Sequence, residues 1–469
     1  MTSFEINNEL LACATYLDGR GALPVKSLEP PIREASVASE SCPFKTIDEE
    51  ILFNDMIASF LNIREKGHVI AVAGGFRSSK AEQRQYRIVG ASNAGINGVH
   101  KRSEEYNKHC NVLAQACTTF ISDNKDVDRV LVAALNICHA EVASSLKAVN
   151  TDENFAVSST SSMRAAAERD LSLESKFRHA VTALEAEGCL EKWKNLGSQK
   201  QIDIAILYKQ VLDAASELWD NFEVSSFTHE FKKHAKPVRK FNNIAKGLDL
   251  LRRFPSNTNL DFYWPQSSNI GSDSFICQSA DAPWGTVIEG MINRSDPGDY
   301  KLLESKWRHR IGNENWAKRI LHGDCKLHCE IYLALYILFA DSDVMFHSFR
   351  AAAEGKHVFA IGATKASCIA CWDILHNLSR QDSPTEPIYI CQTRASHRKM
   401  YATWGVPRSD TTLPPSLQAA TEQRQTQMLD SLNLALSWSH RKFEQRVIDL
   451  MLAKEETSGG HSDTATLSD

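Results

Sequence analysis

The stretch LHCEIYLALYILFA (327–340), with HVFAIGAT (357–364), SCIACWDILHNLSR (367–380) and PIYICQT (387–393) behind it, decides the fold. The first and third segments have the length and apolar spacing of helices. The second and fourth are short, rich in Val, Ile and aromatic residues, and bounded by turn formers, as buried strands are. Helix, strand, helix, strand in close succession implies crossover units and parallel pairing.

Upstream, DEEILFNDMIASFLNI (48–63) opens on an acidic turn and continues with apolar residues at helical spacing. HVIAVAGGF (68–76) and QYRIVGASN (85–93), separated by a polar stretch, read as an antiparallel pair of strands. From about residue 101 to 253 the apolar stripes have the helical period, interrupted by the Ser-rich SSTSSM (158–163), expected to be a loop. Residues 254–300 hold Pro, Gly, Asn and Ser without a sustained period and read as a long irregular connection. A helical region is expected over 415–454 and a disordered tail beyond it.

The chain has 469 residues, 43% hydrophobic and 24% charged, with 53 basic against 58 acidic side chains and a net charge of −5. These proportions exclude fibrous and wholly disordered classes, and a surface basic throughout. No apolar run approaches the ~20 residues of a membrane helix, and the first residues make a poor signal peptide. Twelve cysteines spread over this length fit reduced thiols in a cytoplasmic or nuclear protein, with room for a metal site.

The chemistry concentrates at the starts of the two helices named first. His328 and Glu330 stand at one, Cys368 and Cys371 at the other. One imidazole and two thiolates make a catalytic zinc shell with the fourth position left for water. Cysteines at i and i+3 share a helix face, and the helix N-terminus favours their thiolates. Glu330 is then a carboxylate placed to carry a proton. A second H-x-E, His139 and Glu141, lies inside a long amphipathic helix and is read as ordinary helix surface and core. His322, Cys325 and Cys329 complete no further four-ligand set and are read as a loop histidine and buried thiols. Between His229 and Arg253 there are eight Lys or Arg and two acidic residues, interleaved with Phe231, His234 and Phe241. Phosphates and bases of a single strand could meet such a face, although charged helix faces are usually just solvated.

H-x-E at one helix start, a strand, and C-x-x-C at the next helix start resembles the cytidine-deaminase-like superfamily of zinc deaminases. Within it the chain is most similar to the OTT-type nucleic acid/nucleotide deaminase-like group common in fungal proteins. The similarity rests on Ile361, Gly362, Thr364, Lys365, Ser367, Cys368 and Cys371, and on the downstream His397, Lys399, Tyr401, Trp404 and Pro407. The chain departs from better-known deaminases in carrying Ser367 where they have Pro, and in its very large insertion.

The resemblance implies an α/β fold: a three-layer α-β-α core with a large, mainly helical insertion and a helical C-terminal extension. It divides the chain into an arm (1–45), a helix and β-hairpin (46–98), the insertion (99–310), a zinc-binding part (311–409), C-terminal helices (410–454) and a tail (455–469). It implies a zinc-dependent hydrolase in which Zn2+ is held by His328, Cys368 and Cys371 and Glu330 moves the proton. The reaction removes the exocyclic amine of a cytosine or adenine base in a nucleotide or nucleic acid. Asn93, His397 and Tyr401 are the implied substrate contacts. Asn93 could equally be an ordinary turn residue, and Trp404 is assigned to packing. The alternative is a catalytically silent zinc-bearing interaction module whose helical insertion meets a protein partner. Neither reading involves a membrane.

Overall fold

In the computed structural model, residues 36–37, 42–63, 69–77, 84–93, 103–123, 126–150, 164–188, 190–221, 229–265, 327–340, 344–346, 349–351, 355–365, 367–394, 413 and 415–452 are described. Strand β1 (Ser36–Val37) precedes helix α1 (Ile47–Phe60). Thr46 caps α1 by accepting the Glu49 N–H, and the Glu49 carboxylate accepts the Lys45 N–H in return. Strands β2 (Ile70–Arg77) and β3 (Arg84–Ser92) form the expected antiparallel pair, with Ile70 opposite Ser92 and Phe76 opposite Tyr86. Gly74 is required there. The Tyr86 ring lies across it, and a Cβ would fall 2.3 Å from the phenol oxygen.

Helices α2 (Ser103–Asp123), α3 (Val127–Asn150), α4 (Arg164–Ala186), α5 (Ser198–Asp220) and α6 (His229–Leu251) follow. Within α3, Val127–Lys147 is long and apolar enough to cross a membrane. Its Val130, Leu131, Ala134 and Leu135 are buried in the hydrophobic core, as in the central helix of a bundle. The expected loop at 158–163 lies outside the described residues.

The irregular connection expected after residue 254 contains a strand, β4 (Thr258–Tyr263), parallel to β3 with Arg84 opposite Thr258. Its sequence TNLDFY carries Asn259 and Asp261 at alternate positions. Those polar residues are tolerated because the strand lies at the sheet edge, where Arg87 pairs with Asp261.

The region carrying the H-x-E and C-x-x-C pairs begins with α7 (Cys329–Leu335), whose helical path widens to π spacing over Tyr336–Ala340. Strands β5 (Val344–Phe346), β6 (Phe349–Ala351), β7 (Lys356–Ala360) and β8 (Gly362–Ala363) come next. Helix α8 (Ile369–Asn377), β9 (Ser379–Arg380), β10 (Ile388–Gln392), α9 (Pro415–Gln418) and α10 (Glu422–Leu452) complete the order. The structure is therefore mixed α/β with two sheets. One runs β1-β6-β7-β10-β9. The other runs β4-β3-β2-β5, with β8 also on β2. The crossover from β7 through α8 to β10 is parallel, as the alternation of helix and strand implies.

Burial alternates along the hairpin. Ile70, Val72, Tyr86 and Ile88 join a core with α1 and α2–α6, whereas Ala71, Ala73, Val89 and Ala91 join a second core with α7, α8 and α10. Helices thus lie on both faces of this sheet. The described helices α2–α6 share one continuous core with α1. Gly362 sets how closely α1 approaches, since a Cβ there would meet the Asn54 carbonyl carbon and the Asp55 nitrogen at 2.4 Å. Asn54 Nδ2 donates to the Ala360 carbonyl at 3.2 Å, and Asp55 Oδ1 accepts the Ala363 N–H at 2.8 Å.

Gly362→Ala should cost about 1–3 kcal/mol of stability in chemical denaturation, because the obstruction is backbone that cannot rotate away. Glu50 is buried, with Oε1 3.5 Å from the Tyr86 hydroxyl and Oε2 without a partner. Burial pushes its pKa well above the usual carboxylate range. The folded state then binds a proton that the unfolded chain releases, so stability is lost as pH rises above the unfolded carboxylate pKa. Glu50→Gln should therefore melt higher than wild type at pH 8 and level with it at pH 4. A gap that does not widen with pH would contradict this.

Candidate metal centre

His328 immediately precedes α7, with extended backbone and a side chain that makes no cap hydrogen bond. Its imidazole faces α8, where Cys368 is the N-cap and Cys371 lies in the first turn. His328 Nδ1 lies 3.6 Å from Cys368 Sγ and 3.3 Å from Cys371 Sγ. The ligand atoms of all three residues fall within 4.8 Å of one another. The Cys371 N–H also points at Cys368 Sγ, 3.4 Å away.

Charge favours the thiolate form of Cys368. Burial of Cys368 opposes its ionisation, yet the hydrogen bonds from Cys371 and the His328 charge bring its pKa well below that of an ordinary thiol. Burial likewise opposes a charged His328, but the Cys368 thiolate holds the imidazole pKa above its ordinary value. A soft thiolate pair with one imidazole suits Zn2+. The donor set and its convergence therefore fit that ion.

Glu330 is 3% exposed. Burial raises its pKa against the attraction of His328, and the Cys368 charge adds to the rise. One carboxylate oxygen lies 3.3 Å from Cys329 Sγ. That sulfur is also 3.5 Å from the Val69 carbonyl. Cys329, expected only as a buried thiol, thus fastens Glu330 to the end of β2. Nothing in the spacing of residues signals that.

Asn93, at the end of β3, is brought to this centre, where its side-chain oxygen accepts the Cys329 N–H. It caps α7 from another element and so fixes where His328 and Glu330 stand. Thr364 exchanges hydrogen bonds with Ile70: its N–H donates to the Ile70 carbonyl at 2.9 Å and its Oγ1 accepts the Ile70 N–H at 3.2 Å. Ser367 is buried and donates to Thr393 Oγ1 at 3.2 Å. His397, Tyr401 and Trp404 lie outside the described residues, as do His322 and Cys325. His139 has one ring nitrogen 3.0 Å from the Leu135 carbonyl within α3, as an ordinary helical histidine does.

The basic stretch His229–Arg253 forms α6 and the turn after it. Lys240 pairs with Glu141, Lys246 with Asp220, Arg252 with Asp249 and Arg253 with Glu49. Phe241 is fully buried and offers no face for stacking.

A family model described as an OTT_1508_deam-like deaminase matches residues 327–408. The chain thus carries a deaminase-like domain of a cytidine-deaminase-like family, with the His328, Cys368 and Cys371 group inside the matched segment. No curated protein and no solved structure matches the chain.

Removing the tertiary cap by Asn93→Ala should cost about 1 kcal/mol and loosen metal retention in chelator competition. Unchanged stability and retention would show that Asn93 does not position α7.

Proposed function

We propose that the chain is a zinc-dependent deaminase acting on the exocyclic amine of a cytosine or adenine base carried by a nucleotide or nucleic acid. The observation that carries this reading is the convergence of His328, Cys368 and Cys371 beside the buried Glu330, inside a segment that matches a deaminase family. That family implies a nucleobase substrate. The helical layers on both faces of the β2–β3 sheet support the three-layer deaminase core. They also support grouping residues 46–98 and 311–409 as its parts, with 99–310 inserted.

His328, Cys368 and Cys371 would hold the zinc ion, which supplies a Lewis acid that acidifies water toward neutrality. Glu330 would take a proton from the attacking water as a C–O bond forms at the ring carbon bearing the amine. It returns the proton to the amine as the C–N bond breaks and ammonia leaves. Cys329 Sγ, 3.3 Å from one Glu330 oxygen, would help to hold that carboxylate in place. Asn93 fixes the helix end and is offered as a contact to sugar, with His397 and Tyr401 beside the base. Twelve cysteines spread thinly over the chain support a reducing compartment, cytoplasm or nucleus.

Purified protein should contain about one zinc per chain, and Cys368→Ser should lose it. Glu330→Gln should keep the zinc and lose ammonia release by roughly 100-fold or more across cytosine- and adenine-containing nucleosides, nucleotides and oligonucleotides. Full zinc occupancy without Glu330-dependent turnover on any of them would favour the silent zinc-bearing module.

A further inference from the structure

Helix α10 is far longer than the helix it packs on: it runs for 31 residues and α8 for 9. Three contacts set the register between them. Arg424, near the start of α10, pairs with Asp382 beyond β9. Ser431 Oγ accepts the Ser379 N–H at 3.2 Å and donates to the Ser379 carbonyl. Lys442 Nζ lies 2.9 Å from Asp373 Oδ1, inside α8. As α10 advances from Arg424 to Lys442, its partners step back from Asp382 to Asp373. The two helices are therefore antiparallel, and α10 runs toward the end of α8 that carries Cys368 and Cys371.

Past Lys442 the lengths no longer match. Residues 443–452 continue α10, whereas only Cys368–Trp372 stand between Asp373 and the start of α8. At about 1.5 Å per residue these stretches span about 15 Å and about 7.5 Å. The end of α10 thus passes the level of Cys368 and projects beside the metal centre. Along its earlier part α10 buries Met428, Leu432, Ala435, Leu436 and Ser439, while Leu434 and Trp438 face solvent. At helical spacing the buried stripe continues through positions 443, 447 and 450, which are Phe, Val and Leu in the sequence.

The anchor of this projection is Lys442. Its partner Asp373, two residues after the ligand Cys371, has a side chain only 5% exposed. A buried carboxylate stripped of its counter-ion is costly, so the pair holds α10 firmly just before the helix leaves α8 behind.

We propose that residues 443–452 of α10 are a wall beside the metal centre, held in place by Lys442 and Asp373. The wall admits a free nucleoside or nucleotide and keeps out a base that has neighbours on both sides in a strand. This rests on the deaminase reading and narrows it. A strand continues past the target base in both directions and meets the projecting helix, whereas a free compound ends short of it. Lys442 and Asp373 are positioning residues and touch neither metal nor substrate.

Zinc transfer from the loaded full chain to EDTA, free and coupled to dextran, should be followed for wild type, Lys442→Met, Lys442→Arg, Gln445→Pro and Trp438→Ala. Gln445 is exposed, and proline there interrupts the helix just past Lys442 without altering the buried stripe. Transfer to the dextran-coupled chelator should rise roughly tenfold or more in Gln445→Pro and Lys442→Met, because the helix end loses its hold. Transfer to free EDTA should rise much less. Lys442→Arg, which keeps the ion pair, and Trp438→Ala, on the solvent side, should match wild type. Ammonia release from short dC and dA oligonucleotides, relative to CMP and AMP, should increase in the same two variants. No acceleration in either variant, or equal acceleration for both chelators as in a general loosening, overturns the wall. A smaller oligonucleotide share in Gln445→Pro would show that the helix end grips a strand, and overturns the exclusion. If the chelator effect is found but no compound releases ammonia, the deaminase reading fails and the wall stands.

Discussion

The structure depends on bringing the starts of two helices to one point. His328 and Cys368 are forty residues apart in sequence and reach contact distance because α7 and α8 both begin at the same edge of the sheets. Each start is pinned by a strand that is not its immediate neighbour. Asn93 at the end of β3 holds α7 through the Cys329 N–H, and Thr393 after β10 holds Ser367 before α8. A helix terminus leaves backbone donors unsatisfied. Here those donors and the capping residues become the means of placing ligands, so the local demand of helix ends and the geometry of the centre are met by the same contacts.

The join between the two sheets enforces that meeting. β7 pairs with β10, and one residue later β8 pairs with β2. Ile361 lies at the crossing, with its N–H on the Gln392 carbonyl. α1 closes over this point along Gly362, and Asn54 and Asp55 tie down the carbonyl of Ala360 and the N–H of Ala363. The I-G-x-T part of the motif is therefore about chain crossing and close approach. Lys365 is exposed, and the chemistry begins at Cys368.

Much of this was legible in the sequence because it is local. The capped acidic start of α1, the hairpin, the alternation of helix and strand after Leu327, and the H-x-E and C-x-x-C pairs all announce themselves within a few residues. What stayed hidden depends on partners far along the chain. TNLDFY becomes a strand only because β3 offers it an edge, and its polar alternate positions conceal it beside a loop-like composition. Asn93 reads as a turn residue until α7 arrives. Cys329 reads as a spare thiol until Glu330 is seen against it. The basic run suggested a face that phosphates could meet, yet Lys240, Lys246 and Arg253 pair with acids on three other segments and Arg252 pairs with Asp249 beside it. Residue counts cannot anticipate such pairings.

The shared core on the α1 side has a consequence for the modularity of this protein. The matched segment, 327–408, supplies every proposed metal ligand, but the surface it packs on belongs to β2, β3 and α1. The other side of that sheet is covered by the described helices of the long middle region, α2–α6, which share one continuous core with α1. Neither portion can be excised with its own interior intact. Sequence change in α2–α6 is then constrained by the site although none of the metal ligands lies there. The described helices α2–α6 form part of the wall behind the sheet that backs the centre, and a change in their packing would be felt there.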